Sequence, residues 1–556
     1  MPDDSPAEIN QSELNPAKAH PPAPTVDGRF WIIVSAVALG SIFLRTCYFW
    51  LKNPLLMGSD QALLLAISQM MLDGKQLYTQ IHEINPPLIL YINLIPAVIC
   101  RVFHVTAAHA LAVLVLGWTL LSVSLAALCA HRHRDDDQSF YFLPLLMLFL
   151  FFIKSDIIDF GQKEQLLCIS YLPFLLVRYF RWNDKKIGSV MAVICGVLAG
   201  IGICLKPYFL LIAATPELIF FLQKQKWKGK WKPLVAPEVV AAAAVGIIYI
   251  VHFFFLPKDV FDTFFYFILP LVKQGYAYFT VSPMRLLNVW RSDFLHLLLV
   301  VILAIPLRKY NRLLAPLVGF SLASVAAYLL AGQEWSYHLT PVRFGTYLLG
   351  GLEGATAVFI LRSLLPKKRD RFDSILGYGI IVFFSGWLAV SLLGLYLHNA
   401  EKIPVTSSAG SISAQGSDID AGMAQGVDWD RIVADYSKPG DSILFITSGV
   451  APAYPLTLQT GRKCGSRYPH AMTLLMAKYI AWDKPGVVDK KPYERLLDRI
   501  IGEYGEDIKN NQPTLIVVEK SEVNAVLTKF DFYDKFMPNY YQAEKLEEYL
   551  IFTRKK

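Results

Sequence analysis

Apolar runs long enough to cross a lipid bilayer recur through the first 400 residues of this 556-residue chain. Each run approaches the roughly 20 residues that a helix needs to span the hydrocarbon core. Only 18% of the residues are charged, against about 25% in ordinary soluble domains. The sequence therefore predicts a polytopic α-helical membrane protein, and it excludes a soluble enzyme, a disordered chain and a disulfide scaffold.

Eleven runs are predicted to span the membrane, the third and sixth being short. They lie near residues 29–51, 106–130, 139–153, 164–181, 187–205, 208–222, 235–256, 290–307, 313–331, 342–362 and 374–397. A twelfth apolar stretch, 86–103, begins with Asn85-Pro86-Pro87 and is interrupted by Asn93 and Pro96. The total is about 11–13 transmembrane helices, and we expect the stretch 86–103 to lie at the outer interface.

The distribution of charge predicts the orientation. If 86–103 does not span, the short basic loops all fall on one face, which the positive-inside rule makes cytoplasmic. These loops lie near residues 131–134, 181–186, 224–232, 308–312 and 367–371. They account for the net charge of +8 without one basic face, so nucleic acid is not an expected partner. After eleven spans, residues 398–556 lie outside.

The remaining parts of the chain have a soluble composition. Residues 1–28 are expected to form a disordered cytoplasmic tail, ahead of the transmembrane unit 29–397. A Ser-, Gly- and Ala-rich linker, 398–420, leads to a small extracytoplasmic α/β domain at 421–556. In this domain the sequence predicts strands over 442–446 and 514–518 and helices over 470–481 and 492–504. Phosphate-binding glycine motifs are absent from the sequence, so nucleotide-driven transport has no support.

Asp60 follows the first predicted span and precedes an amphipathic helix. A carboxylate at a membrane surface is suited to act as general base on a hydroxyl group. An aspartate at the start of a helix is also a frequent N-cap. The spacing alone leaves both roles open.

The surrounding motifs resemble a known superfamily. After the first span come Gly58-Ser59-Asp60-Gln61, a helical segment, Gly74 to Tyr78, and Pro86-Pro87-Leu88. This order is similar to that of the GT-C glycosyltransferases, within them the protein O-mannosyltransferase and lipid A aminoarabinose transferase group (glycosyltransferase family 39-like). A second acidic motif follows the third span, as in that group, and runs from Lys154 to Glu164. The resemblance covers roughly residues 29–400.

The resemblance implies a GT-C-like fold and catalytic roles for acidic residues of the outer loops. Asp60 would be the catalytic base, and Asp159 or Glu164 would orient Asp60, the acceptor or a metal ion. Mg²⁺ or Mn²⁺ is an open alternative at Asp60 with Asp156 or Asp159, since hard cations bind carboxylate oxygen. The group usually carries an Asp-Glu pair where this chain has Asp60-Gln61, which weakens any metal role for position 61.

Further outer-face residues are candidate substrate ligands. Lys206, between two spans, and the cluster Tyr337-His338 with Arg343 are suited to bind a lipid phosphate or to stack on a sugar. The alternatives are a lysine that snorkels to the interface and an aromatic belt. Lys273 lies in a long outer connection that is plausible as an acceptor gate or a plain surface loop. The remaining candidates come from the first and second outer loops: Tyr78, His82, Glu83 and Asp156.

The function that the resemblance implies is transfer of a sugar from a polyprenyl-phosphate donor to an acceptor hydroxyl group, with inversion. The acceptor would be a glycan, a lipid or a protein, and the enzyme would reside in a bacterial inner membrane, although a eukaryotic reticulum membrane fits the same topology. A transporter or flippase of a lipid-linked glycan is the main alternative. It should carry charged residues within its spans, and only Glu217 and Glu353 stand out there. A sensor with the C-terminal domain as ligand receiver is a third class.

Overall fold

In a computed structural model, the structure describes residues 28–53, 56–132, 142–154, 160–224, 231–365, 368–397, 427–487 and 489–555. The predictions for the N-terminal tail before Gly28 and for the linker 398–420 lie outside these ranges. The predicted site residues Asp156 and Asp159 lie outside them too.

Helices stand at all eleven predicted spans. In chain order the helices up to residue 397 are α1 (Gly28–Lys52), α2 (Ser59–Leu72), α3 (Pro87–Phe103), α4 (Ala107–Arg132), α5 (Phe142–Lys154), α6 (Lys163–Trp182), α7 (Ser189–Cys204), α8 (Phe209–Gln223), α9 (Pro237–His252), α10 (Lys258–Thr263), α11 (Leu269–Gly275), α12 (Pro283–Val289), α13 (Arg291–Leu307), α14 (Leu314–Ala331), α15 (Thr340–Ser363) and α16 (Arg369–Leu397). Short 3₁₀ or π turns join some of them, at Lys232–Val235, Phe253–Phe255, Phe264–Ile268, Tyr276–Phe279 and Ser336–Leu339.

By length and composition, six helices of the described ranges can each cross a membrane, or seven if the bent pair α12–α13 forms one span. The other apolar helices are shorter, at 10–17 residues, and include α3, α5, α7 and α8. Their apolar surfaces need neighbouring helices, and buried side chains of most helices join in one extended core. The membrane unit is thus a bundle in which long and short helices pack together.

Contacts between loops show which helix ends lie together. At one end of the bundle, Lys224 Nζ donates to the carbonyl of Trp182 at 3.2 Å, and Gln223 Nε2 donates to the carbonyl of Arg312 at 3.4 Å. These are three of the loops that the sequence places on the basic face. We call this end of the bundle the basic end, and the opposite end, which carries the C-terminal domain, the domain end.

The helix α3 starts and ends on one side of the bundle. The His109 ring, at the start of α4, lies 3.1 Å from the carbonyl oxygen of Leu51, at the end of α1. Only the connection from α1 to α4 separates these residues in sequence, and it contains α2 and α3. Near the end of α3, Arg101 donates to Asp73, and Gln76 just beyond Asp73 reaches the long outer connection, so α3 also ends on this side and does not cross the bundle. Its position at a membrane interface stays a prediction.

Small residues bring α7 and α9 into close parallel contact. A Cβ atom added at Gly196 would lie 2.2 Å from the carbonyl oxygen of Glu238, and one added at Gly200 would lie 2.8 Å from that of Ala242. Close approach of this kind is how small residues four apart pack helices in a membrane. It holds the start of α9 against the middle of α7.

The C-terminal domain is a mixed five-stranded sheet with helices, as the sequence predicts. Its strands are β1 (Ser442–Ile446), β2 (Lys463–Cys464), β3 (Leu515–Glu519), β4 (Tyr540–Lys545) and β5 (Tyr549–Arg554), in the order β2-β1-β3-β5-β4. The pairs of β1 with β2 and β3 are parallel, and β5 is antiparallel to β3 and β4. The helices are α17 (Trp429–Tyr436), α18 (Ala453–Gln459), α19 (Met472–Lys478, continued by a π turn Tyr479–Asp483), α20 (Lys491–Asn511), α21 (Glu522–Lys529) and α22 (Phe532–Phe536).

The outer connection between α9 and α13 docks against this domain. Gly275, at the end of α11, lies against Met476 so closely that an added Cβ atom would be 2.5 Å from the Met476 Cβ atom. Lys484 Nζ donates to the carbonyl of Gln274 at 2.8 Å. The long connection is therefore helical and packed, and it forms a wall between the bundle and the C-terminal domain.

Candidate active site

A cavity of about 280 Å³ lies at the domain end, between the bundle and the C-terminal domain. The bundle contributes α2, the start of α6, and the loops before α3, α8 and α15 to its lining. The outer connection lines it as well. The C-terminal domain closes it from above. The lining residues are Ser59, Asp60, Leu63, Leu64, Ile84, Asn85, Lys163, Lys206, Tyr276, Tyr278, Phe279, Trp335, Tyr337, Ser448, Gly449, Val450, Ala451, His470 and Met472.

Asp60 lies in the first turn of α2 and faces this cavity. The N-cap position is Gly58, and the cap makes no side-chain hydrogen bond, so Asp60 is not the N-cap of its helix. The position at a helix N-terminus favours a negative charge. Gln162 Nε2 donates to Asp60 Oδ2 at 3.0 Å. The carboxylate is thus held at one oxygen and lines the cavity.

The neighbouring Gln61 has turned away from the cavity. Its side chain is buried and its Nε2 atom donates to the carbonyl of Phe160 at 3.1 Å. Together with the bond from Gln162 to Asp60, this contact ties the second outer loop to the first turn of α2. The residue that replaces the second acid of the resembled motif therefore serves as a structural link.

Three predicted site residues meet around one ammonium group. Lys206 donates to Glu164 and approaches the Nε2 atom of His338 at 3.1 Å. Glu164 and His338 are both buried, and their nearest polar atoms lie 3.6 Å apart. Since the lysine donates to Nε2, the neutral imidazole carries its hydrogen on Nδ1. Lys206 itself lines the cavity. Glu164 and His338 therefore hold a cation at the cavity wall.

A second lysine of the wall, Lys163, was not among the residues that the sequence singled out. It is the first residue of α6 and only 7% exposed, and its Nζ atom donates to Asn85 Oδ1 at 2.5 Å. The Asn85 side chain in turn donates to Glu83 Oε1 at 2.6 Å. Lys163 thus reaches a carboxylate only through a neutral amide, and its charge faces the cavity.

Glu83 is fully buried beside the cavity rather than lining it. Its Oε1 atom also accepts hydrogen bonds from the backbone of Ile84 and Asn85, at 2.9 and 2.8 Å. Burial alone would raise the pKa of Glu83, but His470 and the Asn85 donors outweigh it and hold the pKa below its ordinary value. Glu83 therefore remains ionised as the anchor of its loop.

Tyr78 and His82 support that loop without reaching the cavity. The Tyr78 hydroxyl donates to the carbonyl of Asn85 at 2.6 Å. The His82 ring stacks on Tyr468 of the C-terminal domain, with centroids 4.6 Å apart. Burial lowers the pKa of His82 to about 4, against the opposing attraction of Glu503. Both predicted ligands are thus placed to position the loop.

Aromatic side chains form another part of the cavity wall. Trp335 packs against Tyr276 and Phe279, each with ring centroids 6.0 Å away, and stacks on Tyr337 at 5.9 Å. The helix α14 is capped at its C-terminal end by Gly332. Its φ of +75° lies in the left-handed region, which glycine adopts without steric cost. The chain then turns into the segment that holds Trp335 and Tyr337. Such rings offer flat apolar faces with polar edges, which suit a sugar ring.

Two predicted ligands lie elsewhere. Arg343 Nε donates to Asp293 Oδ1 at 2.9 Å, and both residues line a second cavity of about 560 Å³ between α5, α13 and α15. Lys273 is exposed on α11 and is not part of the cavity lining. The structure therefore brings Asp60, Lys206 and Tyr337 together at one cavity, with Glu164 and His338 behind Lys206.

A metal site is not visible in the described ranges, where no three His, Cys, Asp or Glu side chains form a group able to hold an ion. The predicted pairing of Asp60 with Asp156 or Asp159 involves residues outside those ranges. A role for Mg²⁺ or Mn²⁺ stays a prediction.

Comparisons with known proteins bear on the fold. No protein-family model matches the sequence, and no curated protein matches it significantly. ArnT from Cupriavidus metallidurans bound to undecaprenyl phosphate is similar in structure, with a TM-score of 0.50 at 14% identity over 95% of this chain and 98% of that chain. ArnT in the apo state also gives 0.50 at 14% identity, over 94% and 97%. The oligosaccharyltransferase of Archaeoglobus fulgidus in the apo form gives 0.42 at 13% identity, over 88% and 70%.

The two ArnT structures confirm the predicted fold. This chain is an integral membrane protein with a GT-C-like helical bundle and a small C-terminal sheet domain. The similarity extends over nearly the whole of both chains, so it includes the C-terminal domain, for which the sequence offered no resemblance.

Proposed function

We propose that this chain is a membrane glycosyltransferase that moves a sugar from a polyprenyl-phosphate donor to an acceptor hydroxyl group. The observation that carries the proposal is the cavity in which a carboxylate, two lysines and an aromatic wall converge. The fold supports it, since ArnT has this fold and was solved with undecaprenyl phosphate bound. The bacterial inner membrane, with the domain end facing outward, is the proposed location.

Asp60 is the proposed general base. Its Oδ2 atom is held by Gln162, which leaves Oδ1 to accept the proton of the acceptor hydroxyl group. The acceptor oxygen then forms its bond to the anomeric carbon as the bond from that carbon to the phosphate oxygen breaks. The bonding pair leaves with the polyprenyl phosphate, from the opposite face of the sugar, with inversion. Proton transfer of this kind contributes roughly 10²–10⁴-fold to the rate.

Lys163 and Lys206 are the proposed ligands of the leaving phosphate. Negative charge builds up on that phosphate as the bond breaks, and fixed cations at the cavity wall stabilise it. Glu164 and His338 hold Lys206 in place. The aromatic wall of Trp335 and Tyr337 is the proposed platform for the sugar ring.

A lipid-borne donor follows from the proposed location. Nucleotide sugars are cytoplasmic, whereas the cavity lies at the end of the bundle opposite the basic loops. The transporter or flippase alternative predicts charged residues within the spans, where Glu217 and Glu353 stand out. Glu217, one of the two, accepts hydrogen bonds from Arg178 at 2.8 and 2.7 Å and from Trp182 at 3.1 Å. Its charge is thus explained as part of a structural ion network.

The test is release of polyprenyl phosphate by purified protein in detergent. Wild type, Asp60→Asn and Asp259→Asn are each incubated with a panel of polyprenyl-phosphate sugars, with and without acceptors and with and without a chelator. Asp259 is a matched control, because it is an exposed acid of the outer connection away from the cavity. We expect turnover by wild type and Asp259→Asn, and a loss of about 10²–10⁴-fold in Asp60→Asn.

The outcomes separate the alternatives. Near-normal turnover by Asp60→Asn would remove Asp60 from the role of base. Donor binding without turnover in the wild type, with plausible acceptors supplied, would favour the flippase. Activity that disappears with the chelator and returns with Mg²⁺ or Mn²⁺ would establish the metal that the sequence leaves open.

A further inference from the structure

The C-terminal domain contributes a polar residue to the cavity wall, His470. This histidine is 2% exposed, and its Nδ1 atom accepts a hydrogen bond from the backbone of Met472 at 3.3 Å. The hydrogen of the neutral ring is therefore on Nε2. That atom lies 3.6 Å from Glu83 Oε2.

Glu83 Oε2 needs such a partner. The residue is fully buried, and within the described part of the chain this oxygen has no hydrogen bond. A buried carboxylate oxygen left without compensation is costly. The His470 ring of the C-terminal domain faces this oxygen.

Two hydrogen bonds connect Glu83 with the cavity wall. Glu83 Oε1 accepts from the Asn85 side chain at 2.6 Å, and Asn85 Oδ1 accepts from Lys163 at 2.5 Å. The Asn85 amide is thereby oriented with its oxygen toward the lysine. His470, Glu83, Asn85 and Lys163 form one chain of contacts that begins in one domain and ends in the other.

The loop that carries this chain is held by the same stretch of the C-terminal domain. The backbone N–H of His82 donates to the carbonyl of Arg467 at 2.7 Å, and the His82 ring stacks on Tyr468. Residues 467–470 therefore contact residues 82 and 83 at three points: a backbone hydrogen bond, a ring stack, and the approach of the His470 ring to Glu83.

We propose that His470 is a positioning residue that sets Lys163 for phosphate binding, so that the C-terminal domain is part of the active site. The inference rests on the proposed function, in which Lys163 holds the phosphate of the donor. His470 keeps Glu83 in place and ionised, Glu83 orients Asn85, and Asn85 directs the ammonium group of Lys163 into the cavity without neutralising it. A carboxylate in the place of Asn85 would neutralise that charge, whereas the amide preserves it.

The test measures the affinity of the full-length protein for undecaprenyl phosphate in detergent, with undecaprenol as the same lipid without phosphate. Both Lys163→Met and His470→Leu should weaken binding of undecaprenyl phosphate about ten-fold, and neither should change binding of undecaprenol. His470→Gln should restore binding, because its amide N–H can face Glu83 from the same position. The double variant should bind no more weakly than Lys163→Met alone, since residues that act as one unit are not additive.

Two further variants distinguish a loss of positioning from a general disturbance of the contact between the domains. Tyr468→Phe removes a hydroxyl group from the same docking surface and should bind undecaprenyl phosphate normally. Glu83→Gln changes the next link of the chain within the bundle and should reproduce the loss, which keeps the proposal testable if His470→Leu does not fold.

The results distinguish the two proposals. Normal phosphate binding by His470→Leu or Glu83→Gln, with a loss in Lys163→Met, would overturn the positioning role and leave the proposed function standing. Additive losses in the double variant would overturn it as well, since His470 would then act on the ligand directly. Normal binding by Lys163→Met would overturn both the positioning role and the phosphate site.

Discussion

Two clusters of charge lie about 22 Å apart along the helix α6, and they are built on different principles. At the basic end, the guanidinium of Arg178 is fully buried and donates to Glu217 and Glu238 at 2.7–2.8 Å. Arg181 donates to Glu238 as well, at 3.0 Å. Every oxygen of the two carboxylates has a donor, so this network is closed upon itself.

At the domain end, the charges are incompletely satisfied and face a cavity. Lys163 donates to a neutral amide, and Lys206 is exposed on one side to the same space. Within the described residues, the buried atoms Gln162 Oε1 and His338 Nδ1 have no hydrogen-bond partner. A buried polar group without a partner costs free energy, so each such group calls for an explanation, and a ligand that binds beside it is one.

The difference teaches which buried charges indicate function. Both clusters combine basic residues, glutamates and aromatic residues near helix ends, so the presence and position of charge do not distinguish them. What distinguishes them is whether the polar atoms find partners within the protein. The closed network is a structural joint between α6, α8 and α9, and the open one is the proposed site.

The same substitution in each cluster should give opposite results, and this is the largest effect that we expect. Glu238→Gln leaves Arg178 and Arg181 partly uncompensated in the bundle, which should cost about 3–5 kcal/mol of stability. Glu164→Gln leaves Lys206 beside a cavity that admits water, so stability should change little while donor turnover falls. Unfolding in mixed detergent and the polyprenyl-phosphate release assay measure the two quantities on the same preparations.

A Glu238→Gln variant that folded normally but was inactive would contradict the distinction between a structural network and a site. Unfolding of Glu164→Gln without unfolding of Glu238→Gln would contradict this distinction as well. Either result would mean that the charges at the basic end take part in function.

Most of the fold could be predicted from the sequence, because apolar runs and basic loops act locally. All eleven predicted spans are helices, and α3 stays on one side of the bundle, as the charge pattern predicts. In the C-terminal domain, β1 and β3 are apolar and were predicted, whereas β4 reads Tyr-Tyr-Gln-Ala-Glu-Lys and has no apolar pattern to reveal it. It pairs with β5 as a hairpin, which the residues of β4 do not reveal by themselves.

The site could be predicted only in part, for a similar reason. Asp60 and Lys206 stand out as charges at span ends, and the structure puts both at the cavity. Lys163 was hidden beside the more conspicuous Glu164, and its role depends on Asn85, 78 residues away in sequence. His470 could not be found at all, because nothing local indicates that its domain closes the cavity. Arg343 was assigned to the same site because its pairing with Asp293 depends on how α13 and α15 pack.

Acidification should affect the docking surface beside the open cluster. In an unfolded chain a histidine titrates near 6.5, whereas His82 in the folded protein stays neutral down to a pKa of about 4. The unfolded state therefore binds a proton first, and stability falls as the pH drops from about 6.5 to about 4. The pKa difference corresponds to about 3 kcal/mol. The carboxyl groups of Glu83 and Glu503 have lowered pKa values, so their stabilisation is lost as the pH falls from about 4.5 through those lowered values.

Thermal unfolding of wild type and His82→Gln between pH 7.5 and pH 4 checks this expectation. We expect the midpoint of the wild type to fall through that range, and the pH dependence of His82→Gln to be flatter. Equal pH dependence in the two proteins would show that the docking surface does not respond to His82.

The smallest expected difference compares one tryptophan from each cluster. Trp335 stands in the cavity wall, and Trp182 donates from its indole N–H to Glu217 at 3.1 Å and lies 5.6 Å from the Arg178 guanidinium. Trp335→Leu removes a stacking face worth roughly 0.5–1.5 kcal/mol, so KM for the donor should rise about two- to ten-fold with no change in stability. Trp182→Leu should lower the unfolding midpoint and leave KM unchanged, because the ring that it removes seals a closed network and touches no ligand. A rise in KM in both variants would mean that the basic end and the cavity are coupled through α6, and the distinction between a joint and a site would then be one of degree.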